Sequence, residues 1–343
     1  MLPMLHEIQP APSVHLKSAR IRSLPILLLN VHSQCNCRCV MCDIWQRKDG
    51  RAFPAADLDR HRESMRTLGV KLVVLTGGEP LLNRDLDSIC TFFRELEIRI
   101  TLLTTGLLLE KRAESVTAAF DDIIVSIDGP PMIHDRIRRV PNGFQSIEKG
   151  VRAVRLRRPE MQIACRTTVQ KLNHQHLRAT VEAAKSLGLT SVSFLAADIS
   201  SAAFNREVPW SSERQNEIAL SKTELVELEE EIELLIQMRH AGLDGGLIVE
   251  SDEKLQRIAR RFRENIEGTT PKAPICNAPW VSAVIEVDGN VRPCFFHPSV
   301  GNINQLSLEE AINSETALSF RSNLKIASNP TCQRCVCSLN YSE

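Results

Sequence analysis

The chain has 343 residues, long enough to bury a sizeable core, with 42 Lys and Arg balancing 42 Asp and Glu. That balance and only 15 aromatic residues (11 Phe, 3 Trp and 1 Tyr) argue against a nucleic-acid partner. No run approaches the roughly 18–20 apolar residues of a membrane span, and the N-terminal stretch lacks the apolar core of a secretory signal. The 11 cysteines are odd in number and crowd into two clusters, near 35–42 and 276–337. Such clustering points to metal binding in the reducing cytoplasm rather than to disulfides.

Residues 1–24 contain prolines and read as an irregular arm. The strand 25–31 follows, running into CNCRCVMC, where Cys35, Cys39 and Cys42 have the spacing C-x3-C-x2-C. Three thiolates on one loop can hold three irons of a cubane cluster and leave the fourth open for chemistry. Next come a helical pattern over 57–68, the strand 71–76 ending in GGEP, and a helix over 84–96. Cys90 falls on the apolar stripe of that helix and reads as a core thiol. Strands over 98–105, 121–128, 161–169 and 190–198 alternate with helices over 110–120, 143–157 and 174–187. Six β/α steps make a parallel sheet with right-handed crossovers, too few for a closed eight-stranded barrel. In such sheets the site lies beyond the strand C-termini, where both the cysteine loop and GGEP fall.

Strand parity puts Ile124, Ser126 and Asp128 on one face, with Gln162, Ala164, Arg166 and Thr168 on the matching face of the next strand. Polar and charged groups there suit a ligand-holding lumen, and Cys165 then points outward to the helices. Arg166 as a plain ion-pair residue is the structural alternative. Asn30, His32 and Asp198 are further candidates for substrate contact. Residues 199–221 read as a loop-rich connection and 224–238 as an amphipathic helix with a glutamate-rich outer face. In the tail, Cys276, Gly289 and Cys294 form C-x12-G-x4-C, with a hairpin turn at Asp288-Gly289 and Cys332-x2-Cys335 beyond.

The cysteine loop, the GGEP after the next strand and the six β/α steps together resemble the radical S-adenosylmethionine (SAM) superfamily, over roughly residues 25–200. The fold implied is α/β, a partial (β/α)6 barrel with a small C-terminal β-hairpin and helix extension. The resemblance makes Cys35, Cys39 and Cys42 ligands of a [4Fe–4S] cluster whose open iron is chelated by SAM. Reductive cleavage then gives a 5′-deoxyadenosyl radical that abstracts a substrate hydrogen atom. It further implies SAM contacts at Met41, Gly77, Gly78, Glu79, Pro80, Ser126, Asp128 and Arg166, with Glu79 receiving the SAM ammonium. Cys37 lies out of register and reads as a packed thiol. Met41 stands where an aromatic residue is common, so Trp45 is an alternative stacking partner for adenine.

The tail resembles the SPASM auxiliary-cluster extension in its shortened Twitch form, which implies a second [4Fe–4S] cluster on Cys276, Cys294, Cys332 and Cys335. Cys337 is left as bystander, alternate ligand or hydrogen-atom donor. The domain boundaries expected are an arm at 1–24, a core at 25–200, a helical connection at 201–270 and an auxiliary domain at 271–343. The function implied is a redox transformation of a small-molecule or peptide precursor, fed by a one-electron donor such as flavodoxin or ferredoxin. The short N-terminal arm tilts the substrate toward a small molecule or a peptide delivered by a separate partner. A zinc-stabilised binding module and an iron–sulfur carrier without SAM cleavage are the competing classes.

Overall fold

The computed structural model describes residues 18–206 and 208–342, so most of the expected N-terminal arm lies outside the described residues. Six strands, β1 (Ile26–His32), β2 (Leu72–Gly77), β3 (Arg99–Thr104), β4 (Asp122–Ser126), β5 (Gln162–Val169) and β6 (Ser191–Ala196), pair in parallel and in chain order. Between them run α1 (Arg62–Thr67), α2 (Leu86–Glu95), α3 (Leu109–Ala119), α4 (Pro131–Arg138), α5 (Gly143–Arg157) and α6 (Leu177–Ser186). The alternation of each strand decides its faces. Leu27, Leu29, Val31, Val73, Leu75, Ile100, Leu102, Ile123, Val125 and Cys165 sit in one core with the apolar stripes of the helices. Each side chain so buried contributes about 1.5–3 kcal/mol, which fixes the register. Cys90 and Cys165 are both fully buried there, as core thiols.

The opposite, inner face carries Ile26, Leu72 and Val74, with Leu28 and Leu103 partly buried, packed against Val281 and Tyr341 of the tail. The C-terminal extension joins the same sheet. From α10 (Ala278–Val281) the chain enters β7 (Ser282–Ile285), which pairs in parallel with β1, Ile26 opposite Ser282. β8 (Asn290–Arg292) and β9 (Gly301–Asn302) follow in antiparallel, giving one nine-stranded sheet of order β6-β5-β4-β3-β2-β1-β7-β8-β9. The turn at Gly289 (φ +84°) reverses the chain as Asp288-Gly289 predicts. The tail continues as α11 (Leu308–Ile312), α12 (Glu315–Asn323) and α13 (Pro330–Gln333). Asn313 holds Ile21 by two hydrogen bonds, 2.8 Å to its N–H and 3.0 Å to its carbonyl, tying the lead-in to the far end of the chain.

The connection after β6, expected as loop-rich over 199–221 and helical as a whole, holds α7 (Ser212–Asn216), α8 (Lys222–His240) and α9 (Asp252–Glu267). α8 starts on a capping box formed by Ser221 and Glu224. No helix among the described residues is long and apolar enough to cross a membrane.

Candidate functional site

The cysteine loop leaves β1 at His32 and is held from two sides. On one side is GGEP. The Gly78 N–H donates to the His32 carbonyl at 2.8 Å and the Glu79 N–H to that of Gln34 at 2.8 Å. A Cβ on Gly78 would lie 2.0 Å from the Gln34 oxygen, and one on Gly77, at φ +126°, 2.5 Å from the His32 oxygen. The two glycines are therefore required for backbone to meet backbone here, before any ligand is considered.

Glu79 is held by the protein on both oxygens. Its carboxylate is fully buried and accepts four hydrogen bonds. One oxygen takes the Leu81 N–H (3.0 Å) and Thr104 Oγ1 (2.8 Å). The other takes the Thr105 N–H (2.8 Å) and Thr105 Oγ1 (2.7 Å). A carboxylate has about four acceptor sites. Glu79 is thus saturated by the protein, and burial raises its pKa against the pull of those donors. It locks the end of β2 to the end of β3. Pro80 opens the tight turn that follows.

On the other side is α4, an element with no sequence-level signal beyond Pro131 at its start. Its last turn pairs with the loop: the Arg38 N–H donates to the Arg138 carbonyl at 3.1 Å and the Val40 N–H to that of Ile137 at 3.0 Å. Arg138 Nη1 lies 3.5 Å from Cys39 Sγ and Nε 2.6 Å from Asp128 Oδ2. The other Asp128 oxygen accepts from the Thr168 N–H at 2.8 Å. Asp128, expected to touch cofactor, is therefore engaged on both oxygens inside the protein. Arg138 is the residue the sequence reading missed. Its signal was only a charged side chain on the last turn of an undetected helix.

All three expected ligands have a donor aimed at sulfur. The Cys37 N–H is 3.5 Å from Cys35 Sγ, the Ile44 N–H 3.4 Å from Cys42 Sγ, and Arg138 serves Cys39. Hydrogen bonding from Cys37, opposed by burial and helped by the Arg138 cation, brings the Cys39 thiol down to about 7. Cys37 is buried, and hydrogen bonding to Cys35 and Cys39 together with burial drives its pKa up, as befits a packed thiol. Met41 is buried against this group, its Sδ 3.6 Å from Gln170 Nε2. Trp45 hydrogen-bonds the Cys42 carbonyl at 2.7 Å. A donor set of three N–H···S contacts fits thiolates holding an iron–sulfur cluster.

Ser126 and Arg166 stand opposite each other in the β4–β5 register, on the inner face as parity predicts. Asn30 is on the same face and donates to Glu286 Oε2 at 2.6 Å. His32 is buried, its Nδ1 accepting from the Gln34 N–H at 3.1 Å. Asp198 is buried and paired with Arg206 at 3.0 Å. Arg206 lies in turn 3.9 Å from Asp43 and stacks over Trp210, its guanidinium carbon 3.8 Å from the ring centre. The segment after β6 thus straps the cysteine loop, and Asp198 serves the strap.

The tail cysteines converge. Cys276, Cys294, Cys332, Cys335 and Cys337 all wall one cavity of about 110 Å³, together with Ile26, Leu28 and Arg166 of the inner face. Arg166 thus reaches a second site as well as the first strand register. His297, buried in the same wall, lies 3.3 Å from Cys332 Sγ. Cys335 donates to the Cys337 carbonyl, which bends the final turn onto the cavity. Five thiols lining one half-open cavity fit a polynuclear iron–sulfur centre.

Residues 29–194 match the Radical SAM superfamily model, and residues 276–336 match that of an iron–sulfur cluster-binding domain, SPASM. The chain is a radical SAM protein with a C-terminal SPASM domain. Its relatives include the AdoMet-dependent heme synthase of Methanosarcina barkeri, 30% identical over 201 residues, covering 53% of this chain and 56% of that one. A probable GTP 3′,8-cyclase of Pyrobaculum aerophilum is 34% identical over 139 residues, covering 39% of this chain and 45% of that one. The chain thus spans about half the length of the curated relatives it matches.

Two solved structures share the fold more fully. Streptococcus suis SuiB bound to precursor peptide SuiA superposes with a TM-score of 0.63 at 16% identity, over 97% of this chain and 73% of that one. The anSMEcpe structure with bound AdoMet and Cp18Cys peptide gives 0.64 at 16% identity, over 93% of each chain. Both domains imply their cofactors: a SAM-binding [4Fe–4S] cluster and auxiliary iron–sulfur binding.

Proposed function

We propose that this radical SAM enzyme carries out a redox transformation of a small-molecule or peptide precursor on the inner face of the sheet. Cys35, Cys39 and Cys42 hold the SAM-binding cluster, and Cys276, Cys294, Cys332 and Cys335 hold one auxiliary cluster. When bound, SAM and the first cluster supply a 5′-deoxyadenosyl radical able to take a hydrogen atom from substrate. The observation that carries the reading is that both cysteine groups border one face. The first caps the C-terminal end of β1, and the second shares its walls with Ile26 and Leu28 of the same strand. From Leu28 to His32 the strand measures about 13 Å at some 3.3 Å per residue. A substrate between the two sites lies within reach of both.

The residues have separable parts. Gly77 and Gly78 hold the ligand loop against β2, and Arg138 supports Cys39 through a cation that Asp128 fixes. Ser126 and Arg166 present a hydroxyl and a cation to the inner face for SAM or substrate. Held by the four thiols Cys276, Cys294, Cys332 and Cys335, an auxiliary centre would supply electron-accepting chemistry, which would favour dehydrogenation or bond formation. Names such as heme synthase and GTP 3′,8-cyclase among the relatives support the small-molecule side of the substrate class.

The test is anaerobic reconstitution with dithionite and SAM. Replacing Cys35, Cys39 and Cys42 by Ala abolishes 5′-deoxyadenosine and removes about half the iron. Replacing Cys276, Cys294, Cys332 and Cys335 by Ala removes the other half and leaves 5′-deoxyadenosine formation in place. A protein that binds zinc and no iron, or SAM cleavage surviving the first triple substitution, overturns the reading.

A further inference from the structure

Helix α9 lies between edge strand β6 and the C-terminal cysteine segment. Leu255, Ile258, Ala259 and Phe262 bury its apolar side. Lys254, Arg257 and Arg261 follow at three- and four-residue steps, which sets them on one flank of the helix. This flank grips the segment that carries Cys335 and Cys337. Arg261 Nε donates to the Arg334 carbonyl at 3.1 Å. Arg257 donates from Nη2 to the Val336 carbonyl and from Nη1 to Ser338 Oγ, both at 3.4 Å.

The three cations also line a small cavity of about 20 Å³ with Cys335 and Val336. Cys335 therefore belongs to two walls: the large cavity shared by the five thiols and the small one lined by the cations. Carboxylates offset the charge only in part. Lys254 meets Glu250 at 3.0 Å and Arg261 meets Glu264 at 3.5 Å, whereas Arg257 makes no ion pair among the described residues.

We propose that Arg257 and Arg261 position the C-terminal cysteine segment and, with Lys254, raise the reduction potential of the cluster it holds. The inference rests on the auxiliary-cluster reading above. Reduction adds one negative charge to a cluster, and nearby cations stabilise the reduced form. Net charge, hydrogen bonding and solvent exposure are the levers a protein has on such potentials. Here one helix flank supplies the first lever, three cations beside Cys335. The consequence is a centre better able to accept an electron from a substrate radical.

The experiment uses the full chain with Cys35, Cys39 and Cys42 replaced by Ala, so that only the auxiliary cluster contributes. Iron is counted and the midpoint potential is read by EPR-monitored redox titration. Lys254→Gln, Arg257→Gln and Arg261→Gln each shift the midpoint to more negative values. Arg257→Lys and Arg261→Lys, which keep charge but not the paired donors, shift it less. Among the described residues Lys254 makes no hydrogen bond to the cysteine segment, so K254Q leaves the arginine contacts to that segment in place even where an arginine variant fails to hold iron. An unmoved potential in K254Q with iron retained overturns the proposal. Absence of iron from the parent triple variant overturns the auxiliary-cluster reading instead.

Discussion

The two cysteine sites of this protein are built in opposite ways. The first takes its three thiols from eight consecutive residues, Cys35 to Cys42, and depends on neighbours to hold that loop still. The second gathers thiols from Cys276 to Cys337 and depends on tertiary structure to bring them together at all. Around the first, backbone meets backbone at Gly78 and a buried ion pair braces Cys39. Around the second, the thiols face a cavity of about 110 Å³, and arginines from α9 hold the last segment by its carbonyls. A local site needs rigidity from its surroundings, and a dispersed one needs assembly.

The comparison breaks most visibly at Arg138. Arg138→Gln leaves Asp128 buried without its cation, and we expect a loss of about 3–5 kcal/mol, read by denaturant unfolding. SAM cleavage falls with it, while iron bound at the tail cysteines is retained. If both clusters are lost together, the two sites are not independently supported.

Gly78→Ala comes next. Its Cβ meets the Gln34 backbone oxygen at 2.0 Å, a contact that no side-chain rotation relieves. Overpacking of this kind costs about 3 kcal/mol, checked by a lowered Tm and weaker 5′-deoxyadenosine formation. The tail thiols again keep their iron.

A pH effect should also separate the sites. His134 lies within α4, where burial, helped by the Arg138 cation, brings its pKa down to about 3. Unfolded, the same side chain takes up a proton near pH 6.5. Between these values the unfolded chain binds more protons, so stability falls as pH drops from about 6.5 toward 3. Thermal melts across that window should show a shallower acid loss in His134→Gln. An unchanged slope assigns the acid sensitivity elsewhere.

The smallest effect is expected at Cys337. Cys337→Ser should leave iron content and product formation near those of the parent, while Cys335→Ser removes about four irons. The reverse result exchanges the ligand assignment between these two residues.

Much of the fold was legible because its signals are local. The six strands lie within a few residues of their expected spans, since fully buried parallel strands write long apolar runs. The helix at 143–157 matches its expected span. α4 was missed because its eight residues carry four charged or imidazole side chains, two of which point inward to Asp128 and the sheet. Buried charge reads as surface in a sequence.

At the site, spacing exposed the two cysteine groups and parity put Ser126 and Arg166 on the inner face. Glu79 and Asp128 also hold Thr104, Thr105 and Arg138, contacts that nothing in a sequence shows. The Arg206–Trp210 strap was invisible for the same reason, its partners being Asp43 and Asp198 from distant turns.

The pairing of β7 with β1 has a consequence for how the enzyme can be taken apart. β1 is an interior strand only because the tail supplies its neighbour, Ile26 through Leu29 facing Ser282 through Ile285. A fragment ending after β6 would present that row of amide and carbonyl groups, on an apolar strand, as an unpaired edge. Such an edge recruits other chains. The tail is thus a chaperone in place for the catalytic half as well as the seat of its second metal site, and its removal should yield aggregate before it yields a simpler enzyme.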